Sequence, residues 1–156
     1  MYVGTLTNGL KIRDPANGRW TTYRHSLNDP ESIADDYIHD VYIDRTGNLW
    51  LGTANGVNWA ARWQKQFLHL PNDPQKDNSP PAGGILSVVD DDAGHAWIGS
   101  WGGGLARYDL ASNTFFRLPR PGKLIHSVCS DRRGHIWVST NEPAGLWRIT
   151  VSLRDH

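Results

Sequence analysis

The stretch VYIDRTGNLWLGT, residues 41–53, returns as VVDDDAGHAWIGS at 88–100 and as VCSDRRGHIWVST at 128–140. The three copies align without gaps: Val41 with Val88 and Val128, Asp44 with Asp91 and Asp131, Gly47 with Gly94 and Gly134, Trp50 with Trp97 and Trp137. Each copy closes on a hydroxyl, at Thr53, Ser100 and Thr140. A fourth, truncated copy opens the chain, with Gly4-Thr5 standing 48 residues before Gly52-Thr53. The complete copies begin 47 and then 40 residues apart. A unit of that size is one supersecondary motif that cannot bury its own apolar face, so the copies must stack on one another.

The pattern within a unit says what is being stacked. An Asp opening a four-residue turn accepts backbone N–H bonds, and a Gly three residues on supplies the positive φ that closes it. Asp44 to Gly47 therefore reads as a hairpin connection. The following strand, NLWLGT, is apolar on consecutive residues, as in a strand covered on both faces. Its Trp fills the gap between neighbouring sheets, where one indole buries about 150–250 Å². A Gly- and Trp-bearing unit near 40–50 residues is the mark of a β-propeller blade.

Third strands follow at GLKI, GVNW, GLARY and GLWRI, and fourth strands at 20–25, 66–70 and 115–118. The expectation is an all-β segment of about three and a half four-stranded blades within a larger propeller. The repeats run at 1–25 (partial), 38–70, 85–118 and 125–153 (partial). The first lacks an inner strand and the last an outer one. An open arc leaves interblade faces in water, so further blades, in cis or from a second chain, are expected to cover them.

Composition narrows the function classes. Lysine plus arginine equals aspartate plus glutamate at 16 each, which leaves no electrostatic footprint for nucleic acid. Cys129 is the lone cysteine, so there is no internal disulfide and no cysteine-based zinc cluster. It falls on an inner strand, where packing is expected to leave the thiol inert. No apolar run reaches membrane-spanning length, so no membrane contact is expected of this segment. The opening MYVGTLTNGLK is not patterned as a signal peptide.

The unit Asp-x-x-Gly-x-hydrophobic-Trp-hydrophobic-Gly-Thr, followed by Gly-Leu in the next strand, resembles the two-component regulator propeller repeat. His25, Pro30, Ser32 and Ile33 in HSLNDPESI are similar to that family's link between blades, with Ile for Leu. Ser139 departs from the pattern, replacing the Gly of the Gly-Thr pair, and implies a looser backbone approach in the last blade. The link PNDPQKDNSPPAGG, residues 71–84, reads as an insertion and a partly mobile surface loop. The resemblance implies large seven-bladed propellers, often paired, held outside the bacterial inner membrane (periplasmic in a membrane-anchored parent). They sense ligands such as polysaccharide breakdown products. A histidine kinase or diguanylate cyclase would lie outside this chain.

Candidate site residues sit where the repeat is irregular. The loops joining second to third strands share one end of the blades and differ in length: Ala54-Asn55, Trp101-Gly102-Gly103 and Asn141-Glu142-Pro143-Ala144. Trp101, outside the regular Trp register and beside glycines, is either an exposed platform for a carbohydrate or other small molecule, or folds over the adjacent blade. Asn55, Asn141 and Glu142 would bind hydroxyls beside it. The repeated Asp44, Asp91 and Asp131 read as structural, since the turn already explains them. Asp90-Asp91-Asp92 and Asp35-Asp36 lack the alternating oxygen ligands of a calcium loop, and no zinc motif is present. His39 and His126 share one strand position, and His95 and His135 one turn position, which reads as scaffold. No cofactor and no metal are expected. The reading is a ligand-sensing propeller region of a membrane-anchored signalling protein that binds without catalysis. The alternatives are a metal-dependent lyase or glycosidase propeller and a protein-interaction scaffold.

Overall fold

The computed structural model describes residues 1–62, 66–119 and 121–151. Residues 152–153 of the last repeat, and Trp63 to Lys65 before the second repeat's outer strand, lie outside the described residues. Four antiparallel sheets follow one another along the chain. The first holds β1 (Tyr2–Gly4), β2 (Leu10–Arg13) and β3 (Trp20–Tyr23). The second holds β4 (Ile38–Ile43), β5 (Leu49–Thr53), β6 (Gly56–Ala60) and β7 (Leu68–Leu70). The third holds β8 (Gly83–Asp90), β9 (His95–Gly102), β10 (Gly104–Asp109) and β11 (Thr114–Leu118). The fourth holds β12 (Ile125–Ser130), β13 (His135–Asn141) and β14 (Ala144–Thr150). Each sheet is a meander in chain order, so the molecule is an arc of propeller blades.

Blades meet through their inner strands. β4 packs on β1, β8 packs on β4 and β5, and β12 packs on β8 and β9. Three apolar clusters occupy the three junctions. Leu10 with Ile33, Ile38 and Leu51 fills the first. Trp50 with Val57, Ile85 and Val88 fills the second, and Trp97 with Leu105, Ile125 and Val128 the third. β5 is buried at every residue, which explains its unbroken apolar run.

A glycine stands at the closest approach of each junction. A Cβ on Gly4 would lie 2.6 Å from Ile38 Cγ2, one on Gly52 2.6 Å from the Ile85 carbonyl, and one on Gly99 2.5 Å from Ile125 Cγ2. The Gly-Thr and Gly-Ser pairs of the repeat are therefore packing requirements of the next blade.

The second and third junctions also carry a polar latch. The inner strands bulge between Ile38 and Asp40, between Ile85 and Ser87, and between Ile125 and Ser127. The bulge re-aims the following side chain. Asp40 Oδ2 accepts from the Val88 N–H at 2.7 Å, and Ser87 Oγ accepts from the Val128 N–H at 3.1 Å.

The link at 71–84 differs from its reading as an insertion. In the first link the Ser26 N–H donates to Ser32 Oγ at 3.0 Å, and that hydroxyl donates to Ser26 O at 3.1 Å. In the second the Asp73 N–H donates to Ser79 Oγ at 3.1 Å, and that hydroxyl donates to Asp73 O at 2.8 Å. The two links are one motif displaced by 47 residues, closed by the same serine. It is the third link, between Leu118 and Ile125, that is short, and this shortening accounts for the 40-residue spacing.

Candidate functional site

The repeated aspartates are saturated with donors. Asp44 Oδ1 accepts the N–H groups of Thr46 and Asn48 at 3.0 and 2.9 Å, and Oδ2 accepts the Trp50 indole N–H at 3.0 Å. Asp91 holds Trp97 the same way at 2.9 Å and also contacts His95 Nδ1 at 2.8 Å. Asp131 holds His135 Nδ1 at 2.9 Å, while its Trp137 contact lengthens to 3.4 Å. Burial pushes these carboxyls up, yet the indole and turn N–H donors outweigh it and hold Asp44 and Asp91 below the usual carboxylate range. Desolvation likewise raises Asp131, and the N–H groups of Arg133 and His135 lead in bringing it to about 2. Carboxylates fixed in this way serve as turn closures and indole clasps. They have neither the free lone pairs nor the elevated pKa of a general acid. Asp90 and Asp92 are also engaged: Asp90 Oδ2 accepts the Arg45 N–H at 3.0 Å, and Asp92 pairs with the Arg45 guanidinium at 3.1 Å. Asp36 pairs with Arg24 at 2.7 Å. Among the described residues no three His, Cys, Asp or Glu side chains converge as a metal site.

The irregular loops emerge at one end of the blades. Trp101 lies on a strand and not in the loop, because β9 continues to Gly102 through pairing of Gly84 with Trp101 and Gly83 with Gly102. Trp101 is 45% exposed, and its ring meets His126 of the next inner strand edge-on at 5.7 Å. His126 is exposed, as is His39 at the equivalent position, so their repetition is not the repetition of a buried scaffold. His39 lies against Tyr37 with ring centroids 4.6 Å apart, and burial lowers its pKa against the opposing pull of Asp35. Of this row, His39 and His126 were read from sequence as scaffold on their shared strand position, and Tyr37, just before β4, was not singled out.

Asn55 is exposed and, together with His69, lines two cavities of about 320 and 280 Å³; His69 Nε2 lies 3.2 Å from Asn55 O. Asn141 and Glu142 are exposed on the β13–β14 hairpin. The topology brings Asn55, Trp101, Asn141 and Glu142 to one end of the arc, and of these four only Asn55 lines the two cavities beside His69. A separate cavity of about 690 Å³ runs beside β11, lined by Phe116, Leu118, Lys123 and Asn78 among others.

Cys129 corrects its expectation. The thiol is exposed. Its equivalents Tyr42 and Val89 pack into the second and third junctions, whereas β12 has no following sheet among the described residues. The same holds for Trp137, which is half-buried where Trp50 and Trp97 are 0% and 3% exposed.

Comparison with known proteins agrees with this geometry. The model of the two component regulator propeller matches residues 32–55 and 119–142, each the end of a link followed by an inner and a second strand. No curated protein sequence matches the chain. The extracellular domain of a putative hybrid two component system from B. thetaiotaomicron superposes with a TM-score of 0.79 at 20% identity, over 96% of this chain and 20% of that one. The extracellular domain of a putative one component system from the same organism gives 0.75 at 19% identity, over 94% and 19%. A computationally designed protein gives 0.69 at 11% identity, over 97% of this chain and 84% of the designed one. The chain thus spans about a fifth of the length of the extracellular domains it matches. The matched segments are thus similar to the two component regulator propeller, and the superpositions, all at 20% identity or below, show the propeller fold of the arc.

Proposed function

We propose that the arc is part of the ligand-sensing input of a bacterial membrane-anchored signalling protein of the two-component type, held outside the inner membrane and binding without catalysis. The observation that carries this reading is the division of labour within the repeat. Turns, indoles and junction glycines recur with fixed partners, while the residues at one end of the blades change from blade to blade. A rigid scaffold with variable tips is the usual arrangement for recognition.

Trp101, half-exposed at that end, is the platform, and its ligand class is a carbohydrate or another small molecule with a C–H-rich face. Asn55, Asn141 and Glu142 supply amide and carboxylate groups for hydroxyls. Binding shifts signalling only through a difference in affinity between two arrangements of the parent protein. The partners of this segment are that ligand and further blades.

The test is a carbohydrate panel read by tryptophan fluorescence and thermal shift, repeated on Trp101→Ala. Saccharide binding that Trp101→Ala abolishes supports the reading. Unchanged affinity in the variant removes Trp101 from the site.

A further inference from the structure

The outer strands of the second and third sheets stand in one register. Leu70 lies opposite Val57 and Leu118 opposite Leu105, and these in turn lie opposite the junction glycines Gly52 and Gly99. Phe67 and Phe115, each three residues earlier, are therefore equivalent, and both are buried. Their backbones differ. The Phe67 N–H donates to Glu31 O at 3.0 Å, so the chain's own first link caps that outer edge. The shared serine closure puts Asn78 of the second link where Glu31 stands in the first. Yet among the described residues β11 makes no main-chain bond to Asn78 or to anything beyond its own sheet. The side chains diverge as well. His69 turns to Asn55 O, whereas Arg117 at the same place donates to Ser79 O, Ser79 Oγ and Pro80 O. Where the second sheet has cavities of about 320 and 280 Å³, the third has one of about 690 Å³, and all five residues of β11 line it.

We propose that this cavity takes an extended, acidic peptide segment of a partner protein, which adds to β11 as a further strand. An unpaired edge offers a row of N–H and C=O groups to such a segment, and contacts to its alternate side chains give specificity. In the second sheet the equivalent place already receives a backbone carbonyl; in the third it stands open. The face of β11 that carries Phe116 and Leu118 sets the sequence of the occupant. Phe116 is 47% exposed, the Arg107 guanidinium lies 5.1 Å from its ring centroid, and Lys123 of the third link lines the same cavity. Neither cation has an ion pair among the described residues. The carboxylate in the lining, Asp77, comes from the second link. A fitting segment presents an apolar side chain to Phe116 and Leu118, with carboxylates two residues to either side and so on the same face. Trp101 does not line this cavity, which makes the proposal independent of saccharide recognition.

Fluorescence anisotropy of the full chain with a labelled peptide of sequence Thr-Glu-Thr-Leu-Thr-Glu-Thr tests it. The sequence reads alike in both directions and puts Glu, Leu and Glu on one face. The peptide binds, and Lys123→Glu, a change at an exposed side chain, weakens it about tenfold. A version with Lys in place of Glu reverses the preference and binds the variant more tightly than the unaltered chain. Two further versions, N-methylated either on the Thr set or on the Glu-Leu-Glu set, separate strand pairing from side-chain attraction: one binds like the parent peptide and the other does not. Equal behaviour of the two N-methylated versions, an unchanged affinity in Lys123→Glu, or no binding of the parent peptide at about 1 mM overturns the proposal. A dimer in light scattering that Phe116→Lys dissolves would assign β11 to a second copy and overturn it as well. Trp101→Ala keeps peptide binding, and its effect on saccharide binding bears on the sensing reading alone.

Discussion

The third and fourth sheets carry the same hairpin, yet β9 is buried from Ala96 to Ser100 while β13 alternates between buried and half-buried residues. In both, the turn aspartate holds the i+4 histidine at 2.8–2.9 Å and the turn N–H groups at 2.7–3.1 Å. The contact that changes is the one that reaches into the junction: 2.9 Å to Trp97 and 3.4 Å to Trp137. The hairpin is thus made by its own sequence, and the burial of its indole is made by the next blade. Local chemistry sets the element; the neighbour sets its energy.

That contrast can be broken most directly at the indoles. Trp97→Ala should cost about 3–5 kcal/mol, the range for emptying a buried tryptophan site, and Trp137→Ala less than half as much, by chemical denaturation. Equal losses would mean that the third junction does not stabilise Trp97. The glycine row comes next. Gly52→Ala should cost about 1–3 kcal/mol through overpacking against Ile85, while Ser139→Ala should stay within about 0.5 kcal/mol, as surface changes do. Thiol chemistry sharpens the same contrast without unfolding the chain: Cys129 should react with a maleimide promptly, and a thiol placed by Val89→Cys on a Cys129→Ser background should react far more slowly.

Two pH effects of opposite sign are smaller. Desolvation raises Asp40 above its ordinary 3.8, and the N–H bonds of Val88 and Val41 only partly offset this. A raised folded pKa contributes stability that is full below 3.8 and lost as pH rises through the folded value. Asp40→Asn, which retains an acceptor for Val88, should therefore raise stability at neutral pH and give no gain in acid. The turn aspartates run the other way, with folded values below 3.8. Their contribution is present above 3.8 and disappears as pH falls, for Asp131 toward about 2. Asp91→Asn should flatten the acid limb of a stability profile more than Asp131→Asn, because Asp91 is buried and Asp131 is not.

The blades were legible in the sequence because a repeated turn and a repeated indole are local, periodic signals. The consecutive apolar residues of β5 announced two covered faces for the same reason. The latch of Asp40 and Ser87 was not legible: a bulge breaks the alternation that strand reading relies on, and its partners, Val88 and Val128, lie a whole blade away. Nor was the exposure of Cys129, which depends on what lies beside β12 and not on the strand itself. The 71–84 link was misread because its serine closure was recognised in the first link only, where histidine and proline flank it. At the candidate site, the end of the blades was inferred from topology alone. The edge-on contact of Trp101 with His126 depends on how far β9 runs past its repeat, which no motif encodes.

The latch oxygens all point one way along the chain, from each inner strand to the one that follows. Such an arc has a head and a tail that are chemically unlike. Arcs that joined through such latches would meet nose to tail, a heterologous association that ends in a closed ring when the rotation per blade divides the circle and in an open spiral when it does not.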